Sequence, residues 1–206
     1  MTHNLRKAFL AVIPFLVILF CFLFFRDQVQ AFDTSITHFV VDQRNTVADA
    51  YFNFVTTLAN EEFMTVVIIS FVLLIGFHFK EWKTALSYGI AIVLGNLVLN
   101  PILKELIQRS RPDEALRMVS ETTYSFPSGH SFASGMIYPL ITYFFLRSTK
   151  LGKHTTLVNS ILVLVMVSIC FSRIYLGVHY FTDVIAGFSL GLFCYYLTRH
   201  VFENTL

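Results

Sequence analysis

Long apolar runs alternate with short polar links along this chain, and the length of each run is the informative quantity. Six stretches approach the roughly 20 apolar residues that a helix needs to cross hydrocarbon. They fall at about residues 8–25, 63–79, 84–103, 132–146, 155–171 and 180–198, the fourth being short. The pattern predicts an all-α, polytopic membrane protein with six transmembrane helices, built as one domain over residues 1–206. The link at 26–62 is more than a spacer. Phe32, Ile36, Phe39 and Val40 recur at helical spacing, and so do Val47, Tyr51, Phe54, Val55 and Leu58. One or two short amphipathic helices are expected there at the membrane interface, either capping the bundle or bordering an entrance for lipid.

Composition agrees with this reading. Hydrophobic residues make up 55% of the chain and charged ones only 14%, whereas soluble domains carry nearer a quarter. The net charge of +2 is small and scattered, which argues against nucleic acid as a partner. Cys21, Cys170 and Cys194 all lie in apolar runs, so buried thiols are expected, with neither a disulfide nor a metal cluster. Arg6 and Lys7 before an apolar stretch resemble a signal peptide, with Val29–Gln30–Ala31 as a cleavage site. The run is long, however, and Arg26 and Asp27 separate it from that site, so an uncleaved first helix is expected.

Six crossings place the two termini and the links at 80–83 and 147–154 on one side. That side holds eight Lys and Arg against seven opposite, which barely decides the orientation. Lys104, Arg111 and Arg173 belong to a constellation described next. Setting them aside leaves eight against four, and both termini are then expected in the cytoplasm.

The same parity puts the link between runs three and four beside the link between runs five and six. Three polar segments can therefore meet. In Lys104–Pro112, Lys104 and Arg111 are seven residues apart and project from nearly one helical face, with Pro112 ending the helix at Arg111. Asn96, Asn100 and Lys104 form a polar stripe at four-residue steps. Snorkelling cations and helix-gluing asparagines would be the ordinary explanation. In Ser125–Ser131, Ser128 is a good N-cap and Gly129 permits close approach to backbone that binds anions at a helix start. His130 stands beside that anion position, placed to give or take a proton.

The third segment, residues 172–187, puts Arg173, His179 and Asp183 at the mouth of an apolar run. A charge at the centre of a membrane helix costs roughly 2.5–3.5 kcal/mol, so a function is expected in return. If the last helix begins near His179, then His179, Asp183, Gly187 and Gly191 share one face, the glycines marking a packing surface. Asp183 can then accept the imidazole Nδ1–H and leave Nε2 free as nucleophile or base. Three fixed cations, a helix N-terminus and two histidines suit phosphoryl transfer without a metal or other cofactor. A transporter binding phosphate headgroups would need the cations but not the paired histidines.

These ordered segments resemble the three-part signature of the type 2 phosphatidic acid phosphatase superfamily. The resemblance implies a metal-independent phosphatase that hydrolyses a membrane lipid phosphate or pyrophosphate through a phosphohistidine. A phosphotransferase would differ only in replacing water by another acceptor. It also implies His179 as nucleophile, Asp183 as its partner and His130 as general acid. Lys104, Arg111, Ser128, Gly129 and Arg173 would hold the phosphate, and the site would face away from the cytoplasm.

Overall fold

The computed structural model of the chain describes residues 2–148 and 155–203. The helices are α1 (His3–Phe24), α2 (Arg26–Val41), α3 (Thr46–Thr57), α4 (Glu61–His78), α5 (Trp82–Leu94), α6 (Asn100–Ile107), α7 (Gly129–Ser148), α8 (Thr155–Tyr175) and α9 (Phe181–Glu203). A π-helical turn, Gly95–Leu99, joins α5 to α6, so one rod runs over Trp82–Ile107. Among the described residues, four helices can cross a membrane by length and composition: α1, the α5–α6 rod, α8 and α9. A fifth crossing follows if α3 and α4, bent by 48°, act as one span. The expected six is therefore not reached on those criteria. Glycine, serine and proline within Gly129–Ser148 dilute the apolar run of α7.

Caps explain several helix starts. Thr2 accepts the Leu5 N–H for α1, and Asn45 accepts the Ala48 N–H at 3.0 Å for α3. The start of α9 is held by two carboxylates. Asp183 reaches back to the Tyr180 N–H at 2.8 Å, and Asp33 of α2 takes the Thr182 N–H at 3.0 Å.

The most buried spanning helix is α9, packed along α1 and α7. Small residues permit that closeness, as the four-residue pattern anticipated. A Cβ on Gly187 would fall on the Ser128 carbonyl, and one on Gly191 on the Phe132 carbonyl. Phe132, Met136, Leu140 and Phe144 of α7 bury completely beside Ile169 of α8 and Ala186 of α9. The outcome is a rigid seat for the residues just before α7.

Several sequence expectations are corrected. The last helix begins at Phe181, so His179 lies in the preceding turn and not on the helical face with Asp183. The helix carrying Lys104 ends at Ile107, where Gln108 turns left-handed at φ 49°, so Arg111 shares no helical face with Lys104. The two short helices expected in the link at 26–62 exist as α2 and α3, but several of their apolar residues point outward. Phe39 is 70% exposed while Asp33 and Thr37 are buried. The three cysteines are free, and they are half-buried instead of fully buried. The cations expected at 149–154 lie outside the described residues.

Candidate active site

A cavity of about 540 Å³ opens at one end of the α5–α6 rod. Lys104, Arg111, Gly129, His130 and His179 line one part of it, while Met64, Ile68, Ile92 and Leu97 line the other. Cations and imidazoles thus meet an apolar channel. Asn96 and Asn100 line it too, as the polar stripe predicts, and the Asn100 Nδ2 is buried without a partner.

The link from Arg109 to Ser128 does most of the assembly. Lys104 and Arg111 meet there despite the broken helix. Lys104 Nζ donates to the Tyr124 carbonyl at 2.6 Å, and Arg111 Nε to the Thr123 carbonyl at 2.7 Å. Arg111 Nη1 donates to the Val178 carbonyl at 2.8 Å and lies 3.2 Å from His179 Nε2. A guanidinium can only donate, so Nε2 carries the lone pair and Nδ1 the proton. His179 is 2% exposed. Burial pushes its pKa well below the usual imidazole value, and Arg111, Arg173 and Lys104 push it further down. A neutral imidazole with an available Nε2 is the form a nucleophile needs.

The Nδ1 side departs from expectation. Asp183 Oδ2 lies 3.6 Å from Nδ1, too long for a hydrogen bond. The Ser125 hydroxyl is nearer, 3.3 Å from Nδ1, and donates to Asp183 Oδ2 at 2.5 Å. Ser125 is therefore the link between His179 and Asp183. The other oxygen of Asp183 pairs with Arg109 at 2.7 Å, and Arg109 pairs with Asp33 at 2.6 Å, all three fully buried. Arg109 also stacks on Tyr180, 4.3 Å from the ring centroid.

His130 Nε2 lies 3.1 Å from the Asn60 side-chain oxygen, so a residue preceding α4 orients it. Ser128 is the N-cap of α7, and its hydroxyl accepts from the Ser131 N–H and hydroxyl. Its carbonyl abuts Gly187 and its N–H donates to the Asp183 carbonyl at 3.1 Å. Gly129 lines the cavity, while Ser128 stands behind it. Arg173 is buried; its Nη1 donates to Thr56 at 2.6 Å and its Nη2 pairs with Glu121. Glu121 also pairs with Arg111 at 3.3 Å.

All eight residues named from sequence thus gather at one place. Lys104, Arg111, Gly129, His130 and His179 face the cavity; Ser128, Arg173 and Asp183 support it. Sequence reasoning missed Asp33, Thr56, Asn60, Arg109, Glu121 and Ser125 as members. Two signals were available. Arg109 is a second arginine inside Lys104–Pro112, and Asp33 shares a helical face with Val40.

A chain with one buried and one half-buried histidine, clustered cations and an all-helical bundle has the organisation of a membrane-embedded phosphatase. It belongs to the PAP2 superfamily, whose model matches residues 84–206. It is 37% identical over 175 residues to phosphatidylglycerophosphatase B of Bacillus subtilis, covering 84% of each chain. The crystal structure of a transmembrane PAP2 type phosphatidylglycerolphosphate phosphatase from Bacillus subtilis superposes with a TM-score of 0.86. That match covers 97% of this chain and 98% of the other at 33% identity. An undecaprenyl-diphosphatase of Sulfolobus acidocaldarius is 32% identical over 127 residues, 58% of this chain and 53% of that one.

Proposed function

We propose that this phosphatase removes a terminal phosphate from a membrane lipid, a phosphomonoester or a pyrophosphate, by way of a phosphohistidine and without metal. The observation that carries the reading is His179, neutral and with Nε2 available, in a cavity that is cationic at one end and apolar at the other. Nε2 attacks phosphorus in line, and the bond from phosphorus to the lipid oxygen breaks. His130 gives its proton to that oxygen. Arg111 transfers its hydrogen bond from Nε2 to a phosphoryl oxygen, while Lys104 and Arg173 take up charge on the others. The Nδ1–H of the charged imidazole is held by Ser125, and through it by Asp183. Water, deprotonated by His130, then attacks phosphorus; the bond to Nε2 breaks and phosphate leaves.

The apolar part of the cavity, between α4 and α5, is the place for the acyl or prenyl chain. Phosphatidylglycerophosphate, phosphatidic acid and undecaprenyl pyrophosphate all fit this chemistry. The relatives named above act on the first and the third, which supports keeping both. The proposal includes cytoplasmic termini and a site on the extracytoplasmic side, where lipid enters sideways. Phosphate release from a panel of these lipids, measured with EDTA present, tests the reading. Turnover of at least one is expected. Activity that EDTA abolishes and Mg²⁺ restores overturns the metal-free mechanism.

A further inference from the structure

Glu121 occupies an odd position for a phosphatase site. Arg111 and Arg173 are both buried, and each aims its Nη2 at this one carboxylate. Of their other nitrogens, the Arg173 Nε is buried without a hydrogen-bond partner and the rest are engaged. Arg111 holds the carbonyls of Thr123 and Val178 and the His179 Nε2, and Arg173 holds Thr56. The Arg111 Nη2 is shared with the Thr123 hydroxyl at 3.2 Å and the Tyr124 carbonyl at 3.4 Å. Both Nη2 groups meet the same carboxylate, so losing it releases a hydrogen-bond donor on each arginine at once. Arg111 and Glu121 line the cavity beside His179, and Arg173 stands behind them, paired to Glu121.

Two buried guanidinium groups need a counter-charge when no phosphate is bound, and Glu121 supplies it. It is suited to leaving. The side chain is 27% exposed, lines the cavity, and is carried on non-helical chain between Leu116 and Gly129. A phosphate beside the same two arginines would set like charges against Glu121, so both anions cannot keep these contacts together.

The bilayer adds a second consideration. Its lipids are mostly phosphodiesters with one negative charge each, and they crowd the entrance at high local concentration. A bare cluster of Lys104, Arg111 and Arg173 would fill with them. A tethered carboxylate carries the same single charge at a high effective concentration, so a free monoanion gains nothing by displacing it. A terminal phosphate carries up to two charges and pairs with both arginines at once.

Building on the phosphate-site reading above, we infer that Glu121 is a resident counter-anion that the substrate's phosphate displaces, and that it excludes phosphodiester lipids from the site. Its removal tightens the binding of diesters more than that of terminal phosphates. The reverse holds if Glu121 only positions the arginines: its loss then weakens both.

Calorimetric titration of the purified full chain in detergent separates these cases. The probes are inorganic phosphate and dihexanoyl phosphatidylglycerol, a soluble diester. Glu121→Gln is expected to bind the diester at least tenfold more tightly than the wild type, and to lose most of its preference for phosphate. Diester affinity that is unchanged or weaker overturns the inference. Should Glu121→Gln fail to fold, Glu121→Asp serves. Its shorter side chain cannot bridge both arginines, so diester binding tightens in the same direction, and no gain there is equally fatal. Arg173→Gln tests the underlying reading separately. It is expected to weaken phosphate binding at least tenfold. If phosphate binds as before, the arginines are not the phosphate site, whatever Glu121 does.

Discussion

At the scale of single residues, His130 and His179 are expected to fail in different ways. His179→Ala removes the attacking nitrogen and traps no phosphate on the protein with any substrate. His130→Ala lacks the proton donor and then the base for water, so a nitrophenyl phosphate still phosphorylates it and the phosphoenzyme persists. Acid-labile, base-stable label after a quench reports both, and the opposite pattern reverses the two roles. The lowered pKa of His179 predicts a pH profile as well. Protonation of Nε2 abolishes attack, and an ordinary imidazole protonates near ~6.5. The enzyme's own acid limb in kcat/KM, after correction for substrate ionisation, is therefore expected below that pH. A limb at or above it contradicts the burial and cation argument. The residues legible from sequence share one property: they cluster in three short ordered segments, although the spacing of His179 and Asp183 did not foretell that Ser125 joins them. Asp33, Asn60 and Glu121 act across helices far apart in sequence, so no local pattern encodes them. Ser125 was hidden differently, because a serine two residues before a proline reads as ordinary turn chemistry.

At the scale of elements, the site depends on how closely α7 and α9 approach. Gly187→Ala puts a methyl group against the Ser128 carbonyl and must part the two helices. A loss of about 1–3 kcal/mol is expected from such overpacking, with a larger loss of activity because the cap of α7 moves. Thermal unfolding in detergent beside turnover measures both, and a variant equal to wild type in each refutes the close-packing account. Arg109→Met leaves Asp33 and Asp183 buried without their cation, which should cost about 3–5 kcal/mol. The runs of hydrophobicity located every long helix, because apolar length is what a bilayer selects. The ends were less legible. Gln108 and Phe181 stand where buried ion pairs pull the chain out of helix or start it late, and a spacing argument has no access to those pairs.

At the scale of the whole molecule, sidedness is open to direct measurement. Thr122 is exposed on the link that carries Glu121. A Thr122→Cys variant in intact cells, with the three native cysteines replaced, is expected to react with an impermeant maleimide from outside. Labelling only after permeabilisation puts the site in the cytoplasm and overturns the orientation. The segments before residue 84 also bear on how the chain can be divided. The match to the family begins at residue 84, yet Asp33, Thr56 and Asn60 all precede it. Asp33 caps α9 from α2, Thr56 anchors Arg173 and Asn60 orients His130. The portion with every signature residue is thus only part of a working enzyme. A chimera that keeps residues 84–206 and borrows residues 1–83 from a distant relative inherits His179 and His130 without these supports. Two separately expressed pieces, cut near residue 83, are expected to be inactive alone and to regain turnover when co-expressed.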